Sequence, residues 1–142
     1  MNPARVEARG LAVDRVRAAT LVDFKLVFNK VSANHAEIAH ANIQFERGQH
    51  VQGVLYDLEA QAEIFKMDPY ERAPWNYGRD AVLVETREGA EWCWTYFANP
   101  GVISIGRLPS ADYMAHLLAG KAFLSMEYLQ MLTTHPTVEA GP

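Results

Sequence analysis

The chain has 142 residues, a size that suits one domain with its own core, here taken as residues 1–142 with a frayed tail from about 133. Hydrophobic residues make up 49% and charged residues 21%, a globular profile, and the net charge of −4 offers no basic footprint for nucleic acid. No apolar run approaches the roughly 20 residues needed to cross a bilayer, no secretory h-region opens the chain, and the single cysteine, Cys93, excludes an intrachain disulfide and agrees with a reducing, cytoplasmic setting.

Taken in order, Arg5, Arg9, Arg15 and Arg17, interleaved with Glu7 and Asp14, read as a charged helix face. Leu21 to Phe28 alternates imperfectly between apolar and polar residues and predicts a strand. Asn29 to Gln49 is rich in His, Asn and Ala and reads as a long irregular connection, with a short strand or bulge at Ala41-Asn42-Ile43. Val51 to Leu58 is a second strand, in which Gly53 suggests a bulge or a close backbone approach. Residues 59–67 have helical spacing (Ala60, Ile64, Met67), and Pro69 is expected to stop that helix.

Beyond it, Asp80 to Arg87 and Glu91 to Phe97 flank a Glu88-Gly89 turn and predict a hairpin. Trp92, Trp94 and Tyr96 fall on one face of its second strand, and Cys93, Thr95 and Phe97 on the other. Large residues on both faces predict burial on both, as in a small closed or heavily covered sheet. Cys93, flanked by Trp92 and Trp94, reads as a small buried hydrophobe rather than a nucleophile. Ser110 and Ser125 are good N-caps for two final helices. Tyr113, His116 and Leu117 share a face of the first, which Gly120 ends, and Met126, Leu129 and Leu132 form the apolar stripe of the second.

Common site signatures, including GxxxxGK[ST], GxGxxG, CxxC and GxSxG, are absent. His35 and His40 superficially suggest a zinc helix, but five residues turn a helix by about 140° beyond a full turn, so the rings diverge. No metal site is expected there, and His50, His116 and His135 have no partner visible in sequence. The stretch Phe65 to Tyr77 carries the chemistry. It sets Glu71 between aromatics and two prolines, and a carboxylate in an aromatic pocket suits proton transfer. The competing reading is a solvated loop glutamate. Trp75 and Tyr77 are placed to wall such a pocket.

At this point the chain resembles the gamma-glutamylcyclotransferase-like (AIG2-like, BtrG-like) family. Met67-Asp68-Pro69-Tyr70-Glu71 resembles its L-D-x-x-E element, and Tyr77-Gly78-Arg79-Asp80-Ala81-Val82 its Y-x-R-x-x-V strand entry. Val51-Gln52-Gly53-Val54-Leu55-Tyr56 is similar to its V-x-G-x-x-Y/W strand. Pro109-Ser110-Ala111-Asp112-Tyr113 is similar to P-S-x-x-Y, and Leu124-Ser125-Met126-Glu127-Tyr128 to L-P-x-x-Y. With Asp23 to Phe28 and Thr95-Tyr96, the matching segments follow one another in order over roughly residues 1 to 132.

The resemblance implies an α+β fold, a small mixed β-barrel flanked by helices. It implies cleavage of a γ-glutamyl amide by attack of its own α-amine, giving 5-oxoproline and a free amine or amino acid. Glu71 would be the general acid/base and Tyr113 a substrate-pocket residue; the plain alternative for Tyr113 is a helix residue packing on the core. A small-molecule γ-glutamyl substrate is implied, with no cofactor, no metal, no nucleic acid and no membrane.

Two departures stand out. The family's first strand and its Y-G-S-N loop, whose backbone amides hold the glutamyl group, are missing, because Met1 falls at the loop's hydrophobic position. Either the true start lies upstream or this version lacks its anion-binding element. The second case favours a non-catalytic binding module on the same scaffold. A missing interior strand also leaves a sheet edge open to aggregation or to pairing with a second copy, a homodimer. The second departure is Arg72, which stands where glycine is usual after the acid and is placed either to pair with Glu71 or to point outward.

Overall fold

A computed structural model describes residues 2–138 of the chain. Its α+β architecture comprises four helices, α1 (Pro3–Ala8), α2 (Asp68–Glu71), α3 (Ala111–Leu118) and α4 (Met126–Thr133), and four strands, β1 (Val13–Val31), β2 (Ala39–Leu58), β3 (Tyr77–Thr86) and β4 (Gly89–Ala98). The strands form one antiparallel sheet in the order β2-β1-β3-β4. The α+β class is as expected, but the sheet is not closed into a barrel: β2 and β4 are its two edges.

The predicted strand at Leu21–Phe28 is the middle of a much longer β1, and Arg15 and Arg17 lie on it, not on a helix. Only Arg5 belongs to α1, with Arg9 as its C-cap. The connection expected over Asn29–Gln49 is likewise mostly β2, paired with β1 from Val13↔Leu58 to Val31↔Ala39. Its irregular sequence reflects three register shifts, at Val13/Arg15, Val22/Phe24 and Phe28/Lys30. At the central one Asp23 takes a positive φ of 63° and its Oδ1 accepts the amide of Gly48, itself at φ 82°, 2.8 Å away. A bulge sharpens local twist and bends the strand, so this long hairpin curves instead of lying flat.

Between β2 and β3, residues Gln61–Lys66 form a 3-10 turn rather than the predicted α-helix. Pro69 does not stop a helix there but sits in the first turn of α2, where its missing N–H is no loss. Termination falls instead to Arg72, left-handed at φ 49°. The β3–β4 hairpin has the predicted turn, with Leu83↔Trp92 and Ala81↔Trp94 in register. Its two faces differ, contrary to expectation. Trp92 and Trp94 stand outward, 71% and 51% exposed, whereas Cys93 and Phe97 pack inward against the cluster of Leu21, Val82 and Val84.

Both serine caps form as predicted: Ser110 Oγ accepts from Tyr113 N at 3.1 Å and Ser125 Oγ from Tyr128 N at 3.2 Å. The helix α3 is capped by Ala119, ahead of Gly120. On α4 the buried residues are Tyr128 and Leu132, while Met126 is exposed, so the stripe is shifted from the one expected. Together with Met114 and Leu117 they pack against Leu26 and Phe28 of β1. The tail is partly ordered: Val138 bridges Ser110, and its N–H donates to Pro109 O at 3.0 Å. The remainder of the predicted tail, and Met1, lie outside the described residues.

Two polar clasps draw the free edges toward one another. At one end Asn42 of β2, buried, accepts the amide of Ala98 on β4 at 2.9 Å and donates to Asn29 Oδ1 at 3.0 Å. At the other, Arg17 of β1 donates to Asp57 of β2 at 2.6 Å and to Glu91 of β4 at 2.8 Å. These hydrogen bonds hold the Asp57 and Glu91 carboxyls below their ordinary range and push the guanidinium up. Replacing Asn42 by leucine keeps most of the volume and leaves a buried amide unpaired. Urea denaturation of Asn42→Leu should therefore show a loss of about 1–3 kcal/mol.

Candidate active site

Glu71 is placed by its neighbour Asp68, three residues earlier on α2 and one turn away. Both Asp68 oxygens accept from Arg79 Nη1 of β3, at 2.8 and 2.9 Å, and Oδ1 also accepts from the Tyr96 hydroxyl of β4 at 2.6 Å. The Arg79 guanidinium lies 4.7 Å from the Phe65 ring centroid and 5.3 Å from that of Trp94. This short helix is therefore pinned to the hairpin by charge-assisted hydrogen bonds rather than by its own length.

The Glu71 carboxylate is half-buried. Its Oε1 accepts from Arg9 Nη1 at 3.2 Å, and Oε2 makes no protein hydrogen bond among the described residues. Arg9 is itself held by the face of Tyr70, 4.7 Å away, and by Met67 Sδ at 3.6 Å. Arg72 does not pair with Glu71; among the described residues that role belongs to Arg9.

Glu71 lines a cavity of about 1060 Å³ together with Arg9, Lys30, Tyr77 and Tyr113. The cavity runs along the inner face of the sheet past Leu21 and Val82. Tyr77 and Tyr113 both bond the backbone of one residue of β2: Tyr77 donates to Ala41 O at 2.9 Å, and Tyr113 Oη accepts from Ala41 N at 3.0 Å. Burial pushes both phenols up, with the charge of Glu71 adding in the same direction. Tyr113 is thus neutral, and its O–H proton is not used in the bond to Ala41.

Sequence reasoning brought Glu71, Tyr77 and Tyr113 to the same place, and the structure does so too. It removes Trp75, which is 80% exposed and does not line the cavity. Phe65 is likewise largely exposed and does not line the cavity, whereas Tyr70, though 54% exposed, does, beside Tyr77 and Tyr113. Cys93 is half-buried, and burial raises its thiol pKa, which keeps it protonated. Three cavity residues were missed. Arg9 was read as part of a charged face, His40 only as half of a rejected metal pair. Lys30 was not singled out, although it extends the inward series Phe24, Leu26 and Phe28, and a lysine in an apolar series is a readable signal.

His40 stacks on Tyr113 with ring centroids 4.5 Å apart. Burial, then the charges of Lys30 and Arg5, lower its pKa from 6.5 to about 4. The folded protein thus holds His40 neutral where the unfolded chain would protonate it. This contribution is complete above pH 6.5 and is lost as pH falls toward 4, amounting to about 3 kcal/mol. Urea denaturation between pH 7 and 4 should show this acid-dependent loss in the wild type, and a shallower slope in His40→Gln.

A family model described as gamma-glutamyl cyclotransferase, AIG2-like, matches residues 3–115. A search of curated proteins finds no match. Among solved structures, the fold is similar to one described as gamma-glutamyl cyclotransferase, with a TM-score of 0.84 and 22% identity over 99% of this chain and 85% of that one. It is similar as well to an uncharacterized protein from Homo sapiens, with a TM-score of 0.81 and 24% identity over 97% of this chain and 83% of that one. YkqA from Bacillus subtilis gives a TM-score of 0.74 and 20% identity, over 96% of this chain and 52% of YkqA. At these identities the likeness is one of fold.

Proposed function

The chain belongs to the gamma-glutamyl cyclotransferase, AIG2-like, family, and from that premise we propose that it converts a γ-glutamyl amide into 5-oxoproline and a free amine or amino acid. The observation that carries this reading is the setting of Glu71: one carboxylate oxygen held by Arg9, the other without a partner among the described residues, at the wall of a cavity large enough for a small molecule.

The chemistry asks for one proton carrier and a folded substrate. Glu71 Oε2 takes a proton from the substrate's α-ammonium, exposing the nitrogen lone pair. That nitrogen attacks the γ-carbonyl carbon and closes a five-membered ring. As the tetrahedral carbon collapses, the original amide C–N bond breaks. Glu71 gives the proton it took to the departing nitrogen and accepts in its place the extra proton left on the ring nitrogen, which then passes to the freed amine, so one carboxylate serves as base and then as acid. Attack within one molecule needs only that the reacting atoms be brought together, which a shaped cavity supplies. Arg9 fixes the direction of the carboxylate. Tyr113, a neutral phenol with a free O–H, is the substrate-binding donor.

Two outcomes test this reading. In a 5-oxoproline assay against a panel of γ-glutamyl amines and γ-glutamyl amino acids, Glu71→Gln should lower kcat by about 10²–10⁴-fold with the fold intact by circular dichroism. Turnover unchanged in that variant, or no product from the wild type with any member of the panel, refutes the proposal. Arg9→Met should leave the carboxylate present but misdirected, and kcat should fall by up to about 10²-fold.

A further inference from the structure

Lys30 is 4% exposed on β1, paired across the sheet with His40 just after a bulge. A buried ammonium is normally paired with a carboxylate, because an uncompensated charge in a low-dielectric site is costly. Lys30 forms no ion pair and no side-chain hydrogen bond among the described residues; its nearest recorded partner is the Tyr77 ring, 5.5 Å from Nζ to the centroid. Burial lowers its pKa, the charge of Arg72 adds to this, and the charge of Glu71 acts in the opposite direction. The same cavity contains Arg5, which also forms no ion pair among the described residues. Of the cavity's cations Arg5, Arg9, Lys30 and Arg72, only Arg9 is ion-paired among the described residues; of its carboxylates, Asp112 also has no ion pair.

An α-amino acid head group carries an ammonium and a carboxylate on one carbon. It is complemented by an anion and a cation at the wall of one cavity, as Glu71 and Lys30 are here. We propose that Lys30 is the carboxylate-binding residue of this cavity, holding the α-carboxylate of the γ-glutamyl group while Glu71 faces the α-amine. This rests on the reading of Glu71 given above and adds what that reading lacks, a fixed point from which the amine is aimed. No bond is made or broken at Lys30; it positions the substrate.

The test uses two inert rings. 5-Oxoproline carries the carboxylate, and 2-pyrrolidinone is the same lactam without it. Each is titrated by NMR into the wild type, Lys30→Met and Lys30→Arg. The wild type should bind 5-oxoproline more tightly than 2-pyrrolidinone. Lys30→Met should weaken 5-oxoproline by about 10–100-fold, the scale of one charge-assisted hydrogen bond, and leave 2-pyrrolidinone unchanged. Lys30→Arg should recover part of the loss. Without ligand, Lys30→Met should melt no lower than the wild type, since it removes an unpaired buried charge. The proposal is overturned if the wild type does not prefer 5-oxoproline, if Lys30→Met weakens both rings equally or neither, or if its melting temperature falls. Binding is read without turnover, so an inactive wild type would refute the proposed reaction and leave the Lys30 result standing.

Discussion

The approach of the sheet's two free edges is the constraint on which everything else rests, and it is held by polar side chains rather than by strand pairing. Edges β2 and β4 are not hydrogen-bonded neighbours, yet Asn42 ties one to Ala98 and Arg17 ties Asp57 to Glu91. A sheet held by side chains at its two ends is free to leave space between them. The inner faces of the strands line that space and meet the cavity beside Glu71. Hydrophobic packing alone would favour filling it, because a void forfeits contacts on its lining. The open volume is bordered by apolar strand residues such as Leu21, Leu55 and Val82 together with the polar groups around Glu71.

The same logic organises the site. Each group of the candidate site is fixed by a partner that is not itself reactive: Glu71 by Arg9, its helix by Asp68 on Arg79 and Tyr96, and the two tyrosines by the backbone of Ala41 on β2. The helix bearing Glu71 has four residues, too few to be stable alone. Its position is decided by long-range contacts. The residues around it come from α1, β1, β3 and α3, so the site exists only when the hairpins and the C-terminal helices are assembled together.

The order of short motifs points to Glu71 and Tyr113, which the fold sets at one cavity, and local chemistry made the β3–β4 hairpin and the serine caps legible. These depend on neighbours a few residues apart. The length of β1 and β2 was hidden because their periodicity is broken at three bulges and because Gln44 to His50 is exposed on an edge strand. There, alternation has no buried face to record. Large residues on both faces of β4 suggest burial on both, but Trp92 and Trp94 are 71% and 51% exposed. Arg9 and Lys30 could not be tied to Glu71 from spacing, since they lie 62 and 41 positions away and are brought to it by the fold (71 − 9 and 71 − 30). Lysine in the apolar series of β1 was the one local clue.

The outward tryptophans have an optical consequence. All three indoles of the chain, Trp75, Trp92 and Trp94, are at least half exposed in the native state. Indole emission shifts to the red when water surrounds the ring, and here much of that shift is already present before unfolding. The wavelength of the fluorescence maximum is therefore a poor reporter of global denaturation in this protein. It is instead sensitive to whatever lies against the outer face of the β3–β4 hairpin, and an aqueous quencher should reach the folded chain nearly as well as the unfolded one.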